Sequence, residues 1–170
     1  MEFLQITASD DYRLEQIYSS YSTTFPEDER REWIKFSQLL NNPQAKIISV
    51  LHESQNIGYL IIWELSQFVF VEHFEVFLEF RSQKLGSLIT QFLFANYPRI
   101  ILEIEPGHLG EECQRRYSFY TKNGFTIIDE MYIQPSYGEG KKDLNLWLLA
   151  NYSPENLKET KEEIYDTVYR

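Results

Sequence analysis

Between two apolar stretches, the segment RSQKLGSL (residues 81–88) gathers Arg81, Gln83 and Lys84 around one glycine, Gly86. The residues before it, FVFVEHFEVF, are aromatic and β-branched as in a strand, and ITQFLFANY after it carries apolar residues at helical spacing. Such a strand-to-helix turn points successive N–H groups and a positive helix end at one place, which suits an anion. A second chemical feature lies in the strands. Glu72 and Glu75 in FVFVEHFEVF, and Glu103 and Glu105 in IILEIEP, stand where a buried sheet ordinarily has valine or leucine. A carboxylate is costly to bury without a partner, so its presence there hints at a working cleft. Alternation places Glu72 on one face with Phe74 and Val76, while Glu103 and Glu105 share a face.

Other chemistry finds less support. Cys113 is the single cysteine, which excludes an internal disulfide and a thiolate zinc cluster, and no His or Asn is placed by sequence to activate it. His52, His73 and His108 fall in no metal-binding spacing, so no metal is expected. YGEGKK lacks the first part of a phosphate loop and fits a hairpin connection. The net charge of −10 argues against nucleic acid, whose binding rests on lysine and arginine contacts with phosphate. An acidic surface can attract cationic amines, though it also serves solubility. MEFLQITASDDYRLEQ is no basic leader followed by an apolar run, and no stretch approaches the roughly 18 apolar residues of a membrane helix. The expectation is a cytoplasmic protein without a membrane partner.

These residues need elements to position them. The length of 170 residues, with 43% hydrophobic and 25% charged residues, suits one domain with a full core. EFLQIT alternates as a strand; Ser9, Asp10 and Asp11 can cap a helix to about Tyr21; TFPEDERREWIKFSQLL restarts a helix, with Pro26 in its first turn. AKIISVLHE, IGYLIIWEL and FVFVEHFEVF form a three-strand meander. After the turn come a helix to about Tyr97, the strand RIILEIE, a helix from about Glu111 to Lys122 closed by Gly124, and two strands joined by PSYGEG. The tail, with Ser153 as cap and Pro154 at the first helical position, reads as a helical extension over residues 153–170 of a domain spanning 1–152. The order implies an α/β fold, a mixed twisted sheet of about seven strands with helices on both faces, and one parallel pair across the central crossover. Ligands of such sheets sit beyond the carboxyl ends of the strands, where the turn lies.

Arg81-Ser82-Gln83-Lys84-Leu85-Gly86 after a strand ending at Val76, followed by Tyr120-Thr121-Lys122-Asn123-Gly124-Phe125 after the next strand and helix, resembles the acyl-CoA-binding core of the GNAT superfamily of N-acyltransferases. The resemblance covers about residues 2 to 150, and FPEDERR resembles the helix-loop-helix of many bacterial members. It implies that N–H groups over Ser82, Gln83, Lys84, Leu85, Gly86 and Ser87 bind the pyrophosphate of acetyl-CoA as co-substrate. It implies too that the sheet splays so that main-chain groups of Phe74, Glu75 and Val76 pair with the pantetheine arm, and that Tyr120 protonates the departing thiolate. Lys84 stands where the family has a glycine; a left-handed lysine is strained whereas one at negative φ is harmless, and the harmless case is expected. Cys113 stands where many relatives have Asn.

Acetyl transfer to an amine also needs a base. Glu72 is the first choice, directly or through water, with Glu103 orienting the incoming ammonium; the competing reading has solvated carboxylates or pairs with Arg99, Arg115 or Arg116. By resemblance the acceptor site is framed by residues 22–27 and 135–141, with Phe25 and Tyr137 as pocket walls. The implied function is N-acetyl transfer from acetyl-CoA to a primary amine of a small molecule. The alternatives are a non-catalytic acyl-CoA sensor, and an interaction domain whose terminal helix, with Ile164, Tyr165, Val168 and Tyr169, docks on a partner or forms a homodimer.

Overall fold

The computed structural model describes all 170 residues, Met1–Arg170. The strands are β1 (Glu2–Ile6), β2 (Ala45–His52), β3 (Gln55–Glu64), β4 (Val69–Val76), β5 (Ile100–Ile104), β6 (Thr126–Gln134) and β7 (Leu144–Ala150). The helices are α1 (Tyr12–Thr24), α2 (Trp33–Gln38), α3 (Leu85–Asn96), α4 (Glu111–Lys122) and α5 (Leu157–Ile164), the last running into a π-helical turn over Tyr165–Tyr169. One sheet holds all seven strands in the order β1-β2-β3-β4-β5-β7-β6. Every neighbouring pair is antiparallel except β4–β5, which the crossover through α3 makes parallel. This is the mixed sheet expected from the order of elements. Glu53 and Ser54, with φ of 50° and 65°, make the two-residue loop between β2 and β3, whose left-handed residues match the strand twist.

Helices cover both faces. Leu14, Ile17 and Tyr21 of α1, Phe36 of α2 and Ile164 of α5 pack with Ile47, Ile61, Phe70 and Ile101 on one side. On the other, Leu85, Ile89 and Leu93 of α3 and Tyr120 of α4 pack with Leu60, Val71, Leu102 and Leu149. Burial of these side chains contributes roughly 1.5–3 kcal/mol each before entropy is counted. Gly124, at φ 92°, closes α4 as its sequence position implies.

Two helical expectations change. The segment from Pro26 is not one helix: a 3-10 turn over Glu27–Glu29 is followed by extended backbone at Arg30 and Glu32, and α2 starts only at Trp33. The physical reason lies at Arg31, whose N–H donates to the Tyr21 hydroxyl at 2.7 Å instead of to a helical carbonyl. At the tail, Asn156 rather than Ser153 caps the helix, accepting from the Glu159 N–H, and Pro154 stays in the preceding loop. The terminal residues that the interaction-domain alternative would turn toward a partner face inward instead. Ile164 and Val168 are buried in the core of the domain.

Candidate active site

The sheet is parted at its centre. β4 and β5 pair only through Val69↔Ile100, Phe70↔Ile101 and Val71↔Leu102; beyond them β4 follows β3 as far as Val76 while β5 follows β7. A cleft of about 1170 Å³ opens there. The turn and Phe119 and Tyr120 line one part of it, and Phe25, Glu29, His73, Glu103 and Gln134 line another.

The turn leads into α3 with left-handed backbone at Ser82 (φ 66°) and Lys84 (φ 61°). The expectation of negative φ at Lys84 is therefore wrong. Left-handed residues within a tight turn curl successive N–H groups onto a concave face, and lysine accepts about 1 kcal/mol of strain to be one of them. The N–H groups of Ser82 through Gly86 donate to no main-chain carbonyl, which leaves them for a ligand. Ser87 departs from the expectation, since its N–H is spent on the Lys84 carbonyl at 3.1 Å. Leu85 is buried and offers only its main chain. Gly86 is required for close approach: a Cβ there would stand 3.2 Å from the Phe119 ring, pressing α3 off α4.

Arg81 points back along β4. Its Nε donates to the Val76 carbonyl at 2.9 Å and Nη2 lies 3.4 Å from Glu75 Oε1. Glu75 Oε1 also accepts from Ser20 at 3.0 Å and Thr24 at 2.7 Å. The Val76 carbonyl, expected free for the cofactor arm, thus already accepts one bond from a side chain. Phe74 and Val76 face the α3–α4 side and remain half-buried at the cleft.

Tyr120 on α4 is buried and lines the cleft. Burial pushes its phenol up to about 12, with the Arg116 guanidinium pulling back, so it holds its proton at neutral pH.

Glu72 differs from expectation in its face. Ile61 pairs with His73 and Ile62 with Val71, so Glu72 is the extra residue of a β-bulge. The bulge breaks the alternation. Glu72 and His73 both face the α1 side, opposite Phe74 and Val76. Its carboxylate is taken up by Trp63 Nε1 at 2.7 Å, Tyr137 Oη at 2.7 Å and Arg31 Nη2 at 2.8 Å, with no side-chain exposure. Such a buried, paired carboxylate anchors the three side chains that bond it. Tyr137 is likewise behind the wall rather than part of it: buried, bonded to Glu72 and beneath the Arg31 guanidinium at 4.7 Å. Phe25 does line the cleft, its ring 4.5 Å from that of His73.

Glu103 sits on β5 among tyrosines. The Tyr169 hydroxyl donates to its Oε1, and Oε2 is shut off from solvent with no hydrogen-bond partner. Burial pushes its carboxyl up to about 8, against the pull of the Tyr169 and Tyr132 hydroxyls. Glu105, beyond the strand, is paired with Arg116.

Sequence reasoning missed three residues here. Burial lowers His73 to about 4, so it stays neutral, with Nε2 3.3 Å from the Tyr21 hydroxyl and 3.4 Å from that of Tyr137. Its signal, the EHFE cluster, is visible but gives no direction without the bulge. Arg31, which also donates to the Val168 carbonyl at 2.9 Å, and Tyr169 left no signal, because their partners are far away in the chain. No three His, Cys, Asp or Glu side chains gather to hold a metal ion, and no helix is long and apolar enough to cross a membrane.

No family model and no curated protein matches the chain. Solved structures do. A protein from Bacteroides thetaiotaomicron, assigned to the GNAT acetyltransferases, superposes with a TM-score of 0.91 at 25% identity, over 99% of this chain and 98% of that one. A GNAT acetyltransferase from Elizabethkingia anophelis, solved with acetyl-CoA bound, has a TM-score of 0.59 at 14% identity, over 88% and 95% of the two chains. The aminoglycoside 6'-N-acetyltransferase from Enterococcus faecium has a TM-score of 0.61 at 13% identity, over 91% and 100%. At such identity the last two speak to the fold alone. The parted sheet with its turn of free N–H groups defines an acyl-CoA-dependent N-acyltransferase. The fold is that of the GNAT superfamily of N-acetyltransferases.

Proposed function

We propose that the protein moves an acetyl group from acetyl-CoA directly to the primary amine of a small molecule. The observation that carries this reading is the parted β4–β5 pair running onto a turn whose N–H groups from Ser82 to Gly86 lack main-chain acceptors. Pyrophosphate needs several convergent donors, and these supply them with no side-chain entropy to lose. Lys84 adds a cation beside them, and Gln83 and Arg81 stand at the same mouth. Main-chain groups of Phe74, Glu75 and Val76 then pair with the pantetheine amides as a strand would. That arm directs the thioester toward Tyr120, whose protonated phenol is suited to supply a proton to the thiolate as the C–S bond breaks.

The acceptor end of the cleft carries Phe25 as an apolar wall and Glu29, Glu103 and Gln134 as polar ones. The Glu29 carboxylate there favours an amine that arrives as a cation. Structures alike in fold include enzymes described as aminoglycoside and spermidine N-acetyltransferases, which fits this reading without choosing an acceptor. The test has two arms. Calorimetry with acetyl-CoA should give one-to-one binding. Release of CoA thiol should then be seen with at least one of spermidine, kanamycin, free lysine and a short peptide with a free N-terminus, the peptide being the poorest. No binding removes the cofactor assignment, and a preference for the peptide removes the small-molecule acceptor.

A further inference from the structure

Two lysines cross, in opposite directions, between the α1–α2 and β6–β7 connections. Lys35 of α2 reaches the β6–β7 connection, where its Nζ donates to the Tyr137 carbonyl at 2.8 Å. Lys141 of that connection reaches back to the stretch between α1 and α2. Its Nζ donates to the Glu27 carbonyl at 2.8 Å, the Arg30 carbonyl at 2.6 Å and Glu32 Oε1 at 3.0 Å. All three protons of the ammonium are thereby committed, and the side chain is only 9% exposed. The next residue adds a further tie, from the Lys142 N–H to Asp28 Oδ1 at 3.1 Å.

These ties converge on the 3-10 turn Glu27–Glu29, which has little to hold it by itself. It closes through the Glu29 N–H onto the Pro26 carbonyl at 2.9 Å, has no side-chain cap and buries none of its residues. Lys141 grips it on either side of Glu29, and Glu29 lines the acceptor end of the cleft. The Arg116 guanidinium, whose charge reaches Glu29 from α4, is bound to Glu105. A cation that arrives with the substrate therefore has the Glu29 carboxylate to pair with. We infer that Lys141 is a positioning residue for the acceptor: it fixes the turn so that Glu29 stands in the cleft and holds a cationic group of the incoming amine. This deepens the acetyl-transfer reading above and rests on it. Lys141 takes no part in the chemistry, since its donors already have their acceptors.

A double-variant cycle tests this, read as KM for whichever amine of the panel releases thiol at saturating acetyl-CoA. Glu29→Gln should raise KM about three- to tenfold and leave kcat within about twofold. Lys141→Met should do the same, because methionine keeps an unbranched stem and loses all three donors. The two together should be no worse than Glu29→Gln alone, since a residue that works only through Glu29 then has nothing left to position. Lys141→Arg keeps the cation but offers its donors in a plane; its KM should fall between wild type and Lys141→Met, and it carries the test if the methionine variant does not fold. Calorimetric affinity for acetyl-CoA should be unchanged in every folded variant. KM effects that multiply in the double variant overturn the inference, as does a KM that stays put in both Lys141 variants, or a loss confined to kcat. Wild-type protein that binds acetyl-CoA yet releases no thiol with any amine would instead sink the transferase reading, and the positioning role with it.

Discussion

Tyr120 and Glu103 line the same cleft from different elements. Both have their proton affinity raised by burial, to about 12 and about 8. For the phenol this secures the donor form at neutral pH, and for the carboxyl it gives a group that exchanges a proton there. Tyr120→Phe should leave acetyl-CoA affinity within about twofold, because the ring packing on Phe119 and Phe125 is kept, and lower kcat by about 10²-fold or more. Steady-state kinetics at saturating amine reads the difference. Full turnover in that variant would remove the acid role.

At the scale of elements, the turn before α3 combines two demands. Its concave array of N–H groups needs left-handed residues, and its helix must lie close on α4 through Gly86. Lys84→Gly should relieve roughly 1 kcal/mol of backbone strain and raise Tm by about 2–4 °C. The same change removes an ammonium from the phosphate mouth, and acetyl-CoA affinity should weaken about two- to fivefold by calorimetry. If both quantities moved the same way, lysine would not be trading backbone ease for charge. Most elements were legible from side-chain periodicity, as in IGYLIIWE and VFVEHFEV, and the crossover from the order strand, helix, strand. The bulge at Glu72 was not, because an extra residue in one strand has no mark in composition; it is set by how β3 and β4 twist together, and it reverses the face of Glu72. The break before α2 was hidden for a similar reason. PEDERREW has every local mark of a helix start, and only the distant Tyr21 and Glu72 explain why Arg31 leaves the helical path. The turn and Tyr120 were readable because each lies in a short local motif, whereas Glu103 and Tyr169 are joined only by the folded chain.

Over the whole molecule, burial of an imidazole sets a pH dependence. His73 is held at about 4 in the fold against an ordinary 6.5, chiefly by burial, with Glu72 opposing and Arg31 assisting. A depressed folded value means stability that is present above pH 6.5 and is lost as pH falls toward 4, because the unfolded chain takes the proton first. The loss should be about 2–3 kcal/mol between pH 7 and 4.5. Glu103 works the other way: its raised value adds stability on acidification from about 8 down to its ordinary 4.5. Urea unfolding of wild type and His73→Gln at the two pH values separates them. On going from pH 7 to 4.5 the variant should gain about 2–3 kcal/mol relative to wild type, since the Glu103 contribution is common to both; an identical pH dependence in the two would show that His73 contributes none.

The three rungs Val69↔Ile100, Phe70↔Ile101 and Val71↔Leu102 are all the main-chain pairing between the four-strand and three-strand halves of the sheet. The two halves therefore meet along a short main-chain seam, and the cleft begins where that seam ends. A peptide-like arm laid between β4 and β5 would extend that short ladder, so binding would join the two halves of the sheet over more of their length.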